Sequence, residues 1–233
     1  MGRQALLLAA ALMAPAAWAG DRPFVATSSA VGEEDDDQVW SVETWFQRLG
    51  RQRGLTLAPE YAFDPQRSLQ IELLVQRERG GERRSAVEAE YKHLFNSFAR
   101  DGWGAGVVLA LELGKSGDQG WRRDGVALRL PFSVQLGAAS DAGSTLLHLN
   151  LGVEKERDER RALASSVALE VPLHRRVVVY AELAREGETR LAHVGLRHWV
   201  KRERFAVDIG LLHSRADGER RSGWSLGLHW FDL

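Results

Sequence analysis

Seven histidines are the chain's candidate general bases: His93, His148, His174, His193, His198, His213 and His229. Hydrolytic attack on a lipid ester needs a serine nucleophile, a histidine base and an orienting amide or carboxylate within reach of one another. His148 and Asn150 are two residues apart and share one face of an extended strand. His213 precedes Ser214, and adjacent strand residues point to opposite faces. No motif with a catalytic mechanism surrounds any of these residues, so the expectation is a protein that is not an enzyme. There is no cysteine, no HExxH pair and no EF-hand spacing, and the 23 glycines form neither a P-loop nor a dinucleotide fingerprint. No catalytic residue, metal or cofactor is expected.

The chemistry that remains is charge at regular spacing. Glu43, Glu60, Glu72, Glu112, Arg129, Glu154, Glu170, Glu182, Arg197 and Asp208 alternate with large apolar residues. Glu88 and Glu90 follow the same pattern. On the inner face of a barrel such groups would either line a polar pore and set its selectivity or fill a narrow lumen as a packed ladder. An open pore with this excess of Glu would favour cations.

The elements that must position these groups are strands. In 126–136, Val126, Leu128, Leu130, Phe132, Val134 and Leu136 alternate with Ala127, Arg129, Pro131, Ser133 and Gln135. This is a period of two, not the 3.6 of a helix. Clear alternation recurs around 69–76, 103–113, 147–154, 177–183, 205–211 and 224–230. Weaker strands fall at 39–47, 55–63, 86–95, 163–171 and 191–200, and 86–95 also suits a helix. The fold class read from this is all-β: an antiparallel transmembrane up-and-down β-barrel of about twelve strands.

Three segments divide the chain. Residues 1–19 read as a signal peptide, with Arg3, an apolar run from Ala5 to Ala14 and the small-x-small site Ala17-Trp18-Ala19. The run is short for a helical membrane span, which needs about 20 residues. Residues 20–38 are a polar segment carrying the acidic run Glu33-Glu34-Asp35-Asp36-Asp37, read as a solvated lead-in, and the sequence leaves open whether it enters the barrel. Residues 39–233 form the barrel domain. The formal net charge of −1 gives no basic field for nucleic acid.

A soluble sandwich could also place charged faces in water. Export without cysteine and tryptophans near segment ends favour the lipid-facing barrel. Trp40, Trp45, Trp103, Trp199, Trp224 and Trp230 are the candidates for aromatic girdles at the membrane interfaces. The odd-numbered connections between strands read as longer and more charged than the even ones, as expected for outer loops. Arginine-rich stretches at 77–84, 157–161 and 215–221 could meet lipopolysaccharide phosphates.

Two segments resemble known proteins. The C-terminal Gly223-Trp224-Ser225-Leu226-Gly227-Leu228-His229-Trp230-Phe231-Asp232-Leu233 resembles the sorting signal of outer-membrane barrels, although the apolar stripe runs through Trp230 and the chain ends on Leu233. Asp21-Arg22-Pro23-Phe24-Val25-Ala26-Thr27, then Ala30 and Val39-Trp40-Ser41-Val42-Glu43, resembles the transporter barrels associated with phenol-degradation pathways. Ser28-Ser29 stands where that family carries an acidic pair. These resemblances imply the outer membrane as location. The partners expected are outer-membrane lipid and lipopolysaccharide, the outer-membrane assembly machinery and a small-molecule solute. The functional expectation is a passive channel or transporter for small solutes, against a structural barrel with a filled lumen or a lipid-active barrel enzyme.

Overall fold

Every segment read as a strand alternates because one face meets a different medium from the other, and the structure shows which medium each face meets. The structure is a computed structural model that describes residues 23–32, 39–78, 81, 83–157, 160–216, 218–231 and 233. The expected signal peptide and the acidic run 33–37 lie outside the described residues.

The strands are β1 (Val39–Leu49), β2 (Gln52–Asp64), β3 (Arg67–Glu78), β4 (Arg83–Leu94), β5 (Trp103–Ser116) and β6 (Arg122–Ser140). They continue as β7 (Gly143–Glu156), β8 (Ala162–His174), β9 (Val177–Glu186), β10 (Thr189–Lys201), β11 (Phe205–Ala216) and β12 (Glu219–Trp230). Each pairs antiparallel with its neighbours, and β1 closes on β12 from Val42 opposite Trp230 to Leu49 opposite Gly223. Closure leaves no free edge, so backbone groups are satisfied without water. The segment that also suited a helix is β4, where pairing on both sides overrides local propensity.

The two faces are inverted relative to a soluble protein. Leu151 and Leu211 are each 66% exposed, and similar residues from every strand form an outward apolar belt. Glu182, Arg197 and Asp208 face inward and are at most 1% exposed. A monomer in water does not carry an apolar surface of this extent. The arrangement is that of a transmembrane barrel with its polar core in the lumen.

The connections differ from expectation. Those after β1, β3, β5, β7, β9 and β11 gather at one end, here the odd rim, and the others at the even rim. Two residues join β1 to β2 and β9 to β10 at the odd rim, where Gly50 (φ 60°) and Gly187 (φ 52°) supply left-handed backbone. The odd connections are therefore not the long ones. The longest runs over residues 95–102 at the even rim. It holds a single turn of helix, α1 (Phe98–Asp101), capped by Ser97 and ended by Gly102. The polar stretches read as loops belong largely to the ladder: Arg48 pairs with Arg53, Arg77 with Arg83, Arg185 with Arg190 and Arg215 with Arg220. Backbone pairing does not depend on side-chain polarity, so the strands run on past the apolar belt.

Candidate functional site

The lumen is filled by two side-chain networks and by the chain's own N-terminal segment. Cross-strand register builds the networks. Arg197 stands opposite Asp208, and its guanidinium binds both carboxylate oxygens at 2.8 and 2.7 Å. His229 lies 2.8 Å from the same carboxylate through Nε2 and 3.1 Å from Glu43 through Nδ1. Glu43 is the register partner of His229. Trp199 and Phe231 cover Arg197 with their rings at 5.4 and 5.8 Å.

Across the lumen, Arg129 bridges Glu90 at 2.9 Å and Glu154 at 3.0 Å. Lys92 lies 3.4 Å from Glu60, and Arg84 binds Glu112 at 2.5 Å and Asp124 at 3.2 Å. Glu72, Glu88 and Glu112 stand side by side on β3, β4 and β5. Among the described residues, ten buried carboxyl side chains share the interior with Lys92, Arg129 and Arg197 as buried basic side chains besides histidine.

The third component is the stretch 23–32. Residues 23–31 are buried, which corrects the expectation of a solvated lead-in for this part of the segment. Its contacts move around the wall. Gly32 lies against the β2–β3 turn, where an added Cβ would come 2.1 Å from the Pro65 carbonyl oxygen. The Ala30 N–H donates to Ser133 Oγ on β6 at 2.8 Å. The peptide groups of Ser28 pair with the Asn150 amide on β7: the Ser28 N–H donates to Oδ1 at 3.1 Å and Nδ2 donates to the Ser28 carbonyl at 2.8 Å. At mid-barrel, the Glu182 carboxylate on β9 accepts the N–H groups of Val25 and Ala26, both at 2.8 Å, and the Thr27 hydroxyl at 2.7 Å. Thr27 Oγ1 also lies 2.8 Å from Ser166 Oγ. Phe24 packs beside Ala168 and against the rings of His148 at 5.2 Å and Tyr180 at 6.0 Å. Buried backbone donors require partners, and inward polar side chains supply them here.

The charged residues picked out by alternation are all buried on the inner face. Glu43, Arg197 and Asp208 join one network, and Glu60, Glu112, Arg129 and Glu154 the other. Glu72 stands in the carboxyl row, Glu170 on His148, and Glu182 on the N-terminal segment. Two girdle assignments are corrected. Trp45 shares the inward face of Glu43, is 6% exposed and meets His229 edge-on at 4.7 Å. Trp199 shares the inward face of Arg197. Both sit on the lumen parity of their strands, which nearness to a strand end does not reveal. Trp40, Trp103, Trp224 and Trp230 lie on the outward face.

Of the histidines, His148, His193 and His229 face the lumen, while His93, His174, His198 and His213 do not. His213 bonds the exposed Ser222, and Ser214 faces inward, so that pair is separated. Sequence reasoning did not join Ser133, His148 and Glu170. Ser133 Oγ lies 2.8 Å from His148 Nδ1, and His148 Nε2 lies 3.2 Å from Glu170. The order is that of a nucleophile, a base and a carboxylate, but Ser133 is fully buried and already accepts the Ala30 N–H. In this state it docks the N-terminal segment. The one signal in the sequence was that each of the three has strand parity matching an inward Glu or Arg.

No protein-family profile matches the chain, and no curated protein matches it in sequence. Solved structures match it in fold. The porin KdgM aligns with a TM-score of 0.61 at 12% identity, covering 82% of this chain and 98% of that one. The porin NanC aligns with a TM-score of 0.59 at 8% identity, covering 83% and 100%. The translocator domain of the autotransporter NalP from Neisseria meningitidis aligns with a TM-score of 0.53 at 10% identity, covering 85% and 89%. The chain thus shares the closed antiparallel barrel of outer-membrane proteins of more than one kind.

Proposed function

We propose that this protein is an outer-membrane channel for small solutes in Gram-negative bacteria, closed in the present state by its own segment 23–32 and opened when that segment leaves the lumen. The observation that carries this reading is the way the segment is held. It contributes backbone groups, one hydroxyl and one phenyl ring, and every partner is a side chain of the wall. No strand of the barrel depends on it for closure, because β1 pairs directly with β12. Removal of the segment leaves a lumen rich in carboxyl groups, which supports passage of cations and uncharged polar solutes over anions. The porin fold and the apolar belt support the outer-membrane location, with residues 1–19 directing export. The resemblance around Pro23 and Phe24 to phenol-pathway transporter barrels agrees with a transport role, and those residues now form part of the closure.

The test is conductance in planar bilayers. The full mature chain should show rare, brief openings. A variant lacking residues 20–32 should conduct steadily, with cations preferred. A deletion variant that folds but passes no current supports the second reading, a structural barrel. That reading is favoured by the buried Arg197–Asp208 and Arg129–Glu154 bridges, which join adjacent strands inside the lumen and do not involve the segment.

A further inference from the structure

The odd rim carries a second feature, on the outer wall. Arg185 on β9 stands opposite Arg190 on β10, Arg190 opposite Arg215 on β11, and Arg215 opposite Arg220 on β12. All four are exposed and point outward. Neighbouring strands are about 4.8 Å apart, so the row spans roughly 14 Å.

Like charges directly opposite on adjacent strands destabilise a sheet. No ion pair joins Arg190, Arg215 or Arg220 to a carboxylate among the described residues. Arg185 donates through Nε to the Gly187 carbonyl at 3.0 Å, which leaves its other donors open. Between the hairpins lies a cleft of about 400 Å³ bounded by Arg185, Glu188, Arg190, Arg215 and Gly218, three cations to one carboxylate. Below the row the same outward face passes Leu183, Ala192, His213 and Ser222, and two residues further along β10, β11 and β12 it is apolar at Val194, Leu211 and Trp224. A ligand that satisfies both surfaces carries several anionic groups above and acyl chains below.

We propose that this arginine row binds the phosphorylated saccharide headgroup of lipopolysaccharide, with the acyl chains lying on the apolar belt beneath. Guanidinium groups bind phosphate oxygens in a bidentate fork. A headgroup with several phosphates can bridge neighbouring arginines, whereas a single phosphodiester reaches one or two. The assignment places the odd rim in the outer leaflet. It does not depend on whether the lumen conducts.

The experiment measures binding of purified lipopolysaccharide to the full mature barrel in detergent. The comparison is with R185Q/R190Q/R215Q/R220Q and with R175Q/R176Q at the even rim. The four-site variant should bind at least tenfold more weakly and the even-rim variant like the parent. Enzymatically dephosphorylated lipopolysaccharide should bind the parent as weakly as intact lipopolysaccharide binds the four-site variant. Heat-modifiable gel mobility reports folding, and if the four-site variant misfolds, R190Q/R215Q should still lose several-fold. Unchanged binding by the folded variant overturns the proposal. So does equal binding of dephosphorylated lipopolysaccharide or of phosphatidylglycerol micelles, or an equal loss in the even-rim variant. The chain lacking residues 20–32 should bind as tightly as the parent, which separates this site from the closed-channel reading.

Discussion

Replacing Glu182 with alanine removes the acceptor on which the N-terminal segment turns at mid-barrel. The carboxylate takes two backbone N–H groups and one hydroxyl, all within 2.8 Å. Hydrogen bonds to a charged group contribute about 1.5–3 kcal/mol each. Part of that is regained when the freed donors meet water in the undocked state. A net destabilisation of the docked segment of about 4 kcal/mol follows, close to a thousandfold shift towards the open state. Glu182→Gln keeps a carbonyl acceptor but loses the charge and should fall between the two. Planar-bilayer recording reads the open fraction. Limited proteolysis, with a protease site placed in residues 20–22, reads whether the segment has left. If Glu182→Ala folds, conducts no more than the parent and still protects the segment, the docking argument is refuted.

Gly104→Ala should also release the segment and raise conductance, because its Cβ would come 2.0 Å from the Ala30 carbonyl oxygen; a conductance equal to the parent's would count against the contact. The folded Δ20–32 barrel should prefer potassium over chloride by reversal potential, since carboxyl groups outnumber buried basic side chains in the lumen; anion preference would contradict this. Asp208→Asn leaves Arg197 buried without its countercharge and should cost about 3–5 kcal/mol, read as a lower denaturant midpoint of the barrel. Replacing Arg197 and Asp208 together with Met and Leu should cost less, because no uncompensated charge remains. Brominated lipid should quench Trp103 in a variant retaining only that tryptophan and leave Trp45 in its counterpart unquenched; equal quenching would return Trp45 to the lipid face.

Alternation made the wall legible. In β6, Arg129 and Ser133 share a parity, Leu128 and Leu130 take the other, and the structure keeps that division. The same rule placed Glu43 and Glu182 on the inner face. It also places Trp45 and Trp199 on the inner face, against the girdle expected from their nearness to strand ends. Charge does not mark the end of a strand here, so connection lengths are not legible from polarity. Arg215 and Arg220 show that the ladder continues beyond the apolar belt.

What sequence alone determined is the face of each residue, because a strand turns over every residue and the medium on each side selects polarity. Which residues meet is a different quantity. Arg197 finds Asp208, Glu43 finds His229 and Ser133 finds His148 through register between strands, and Glu43 and His229 are brought together only by closure of β1 on β12. The path of residues 23–32 was equally invisible. The segment has no periodicity of its own, and its backbone donors take their partners from strands β6 to β9, more than a hundred residues away. The tertiary structure therefore decided which side chains and which segment meet inside the lumen, because side chains converge on the axis of a barrel only after all twelve strands have closed around it.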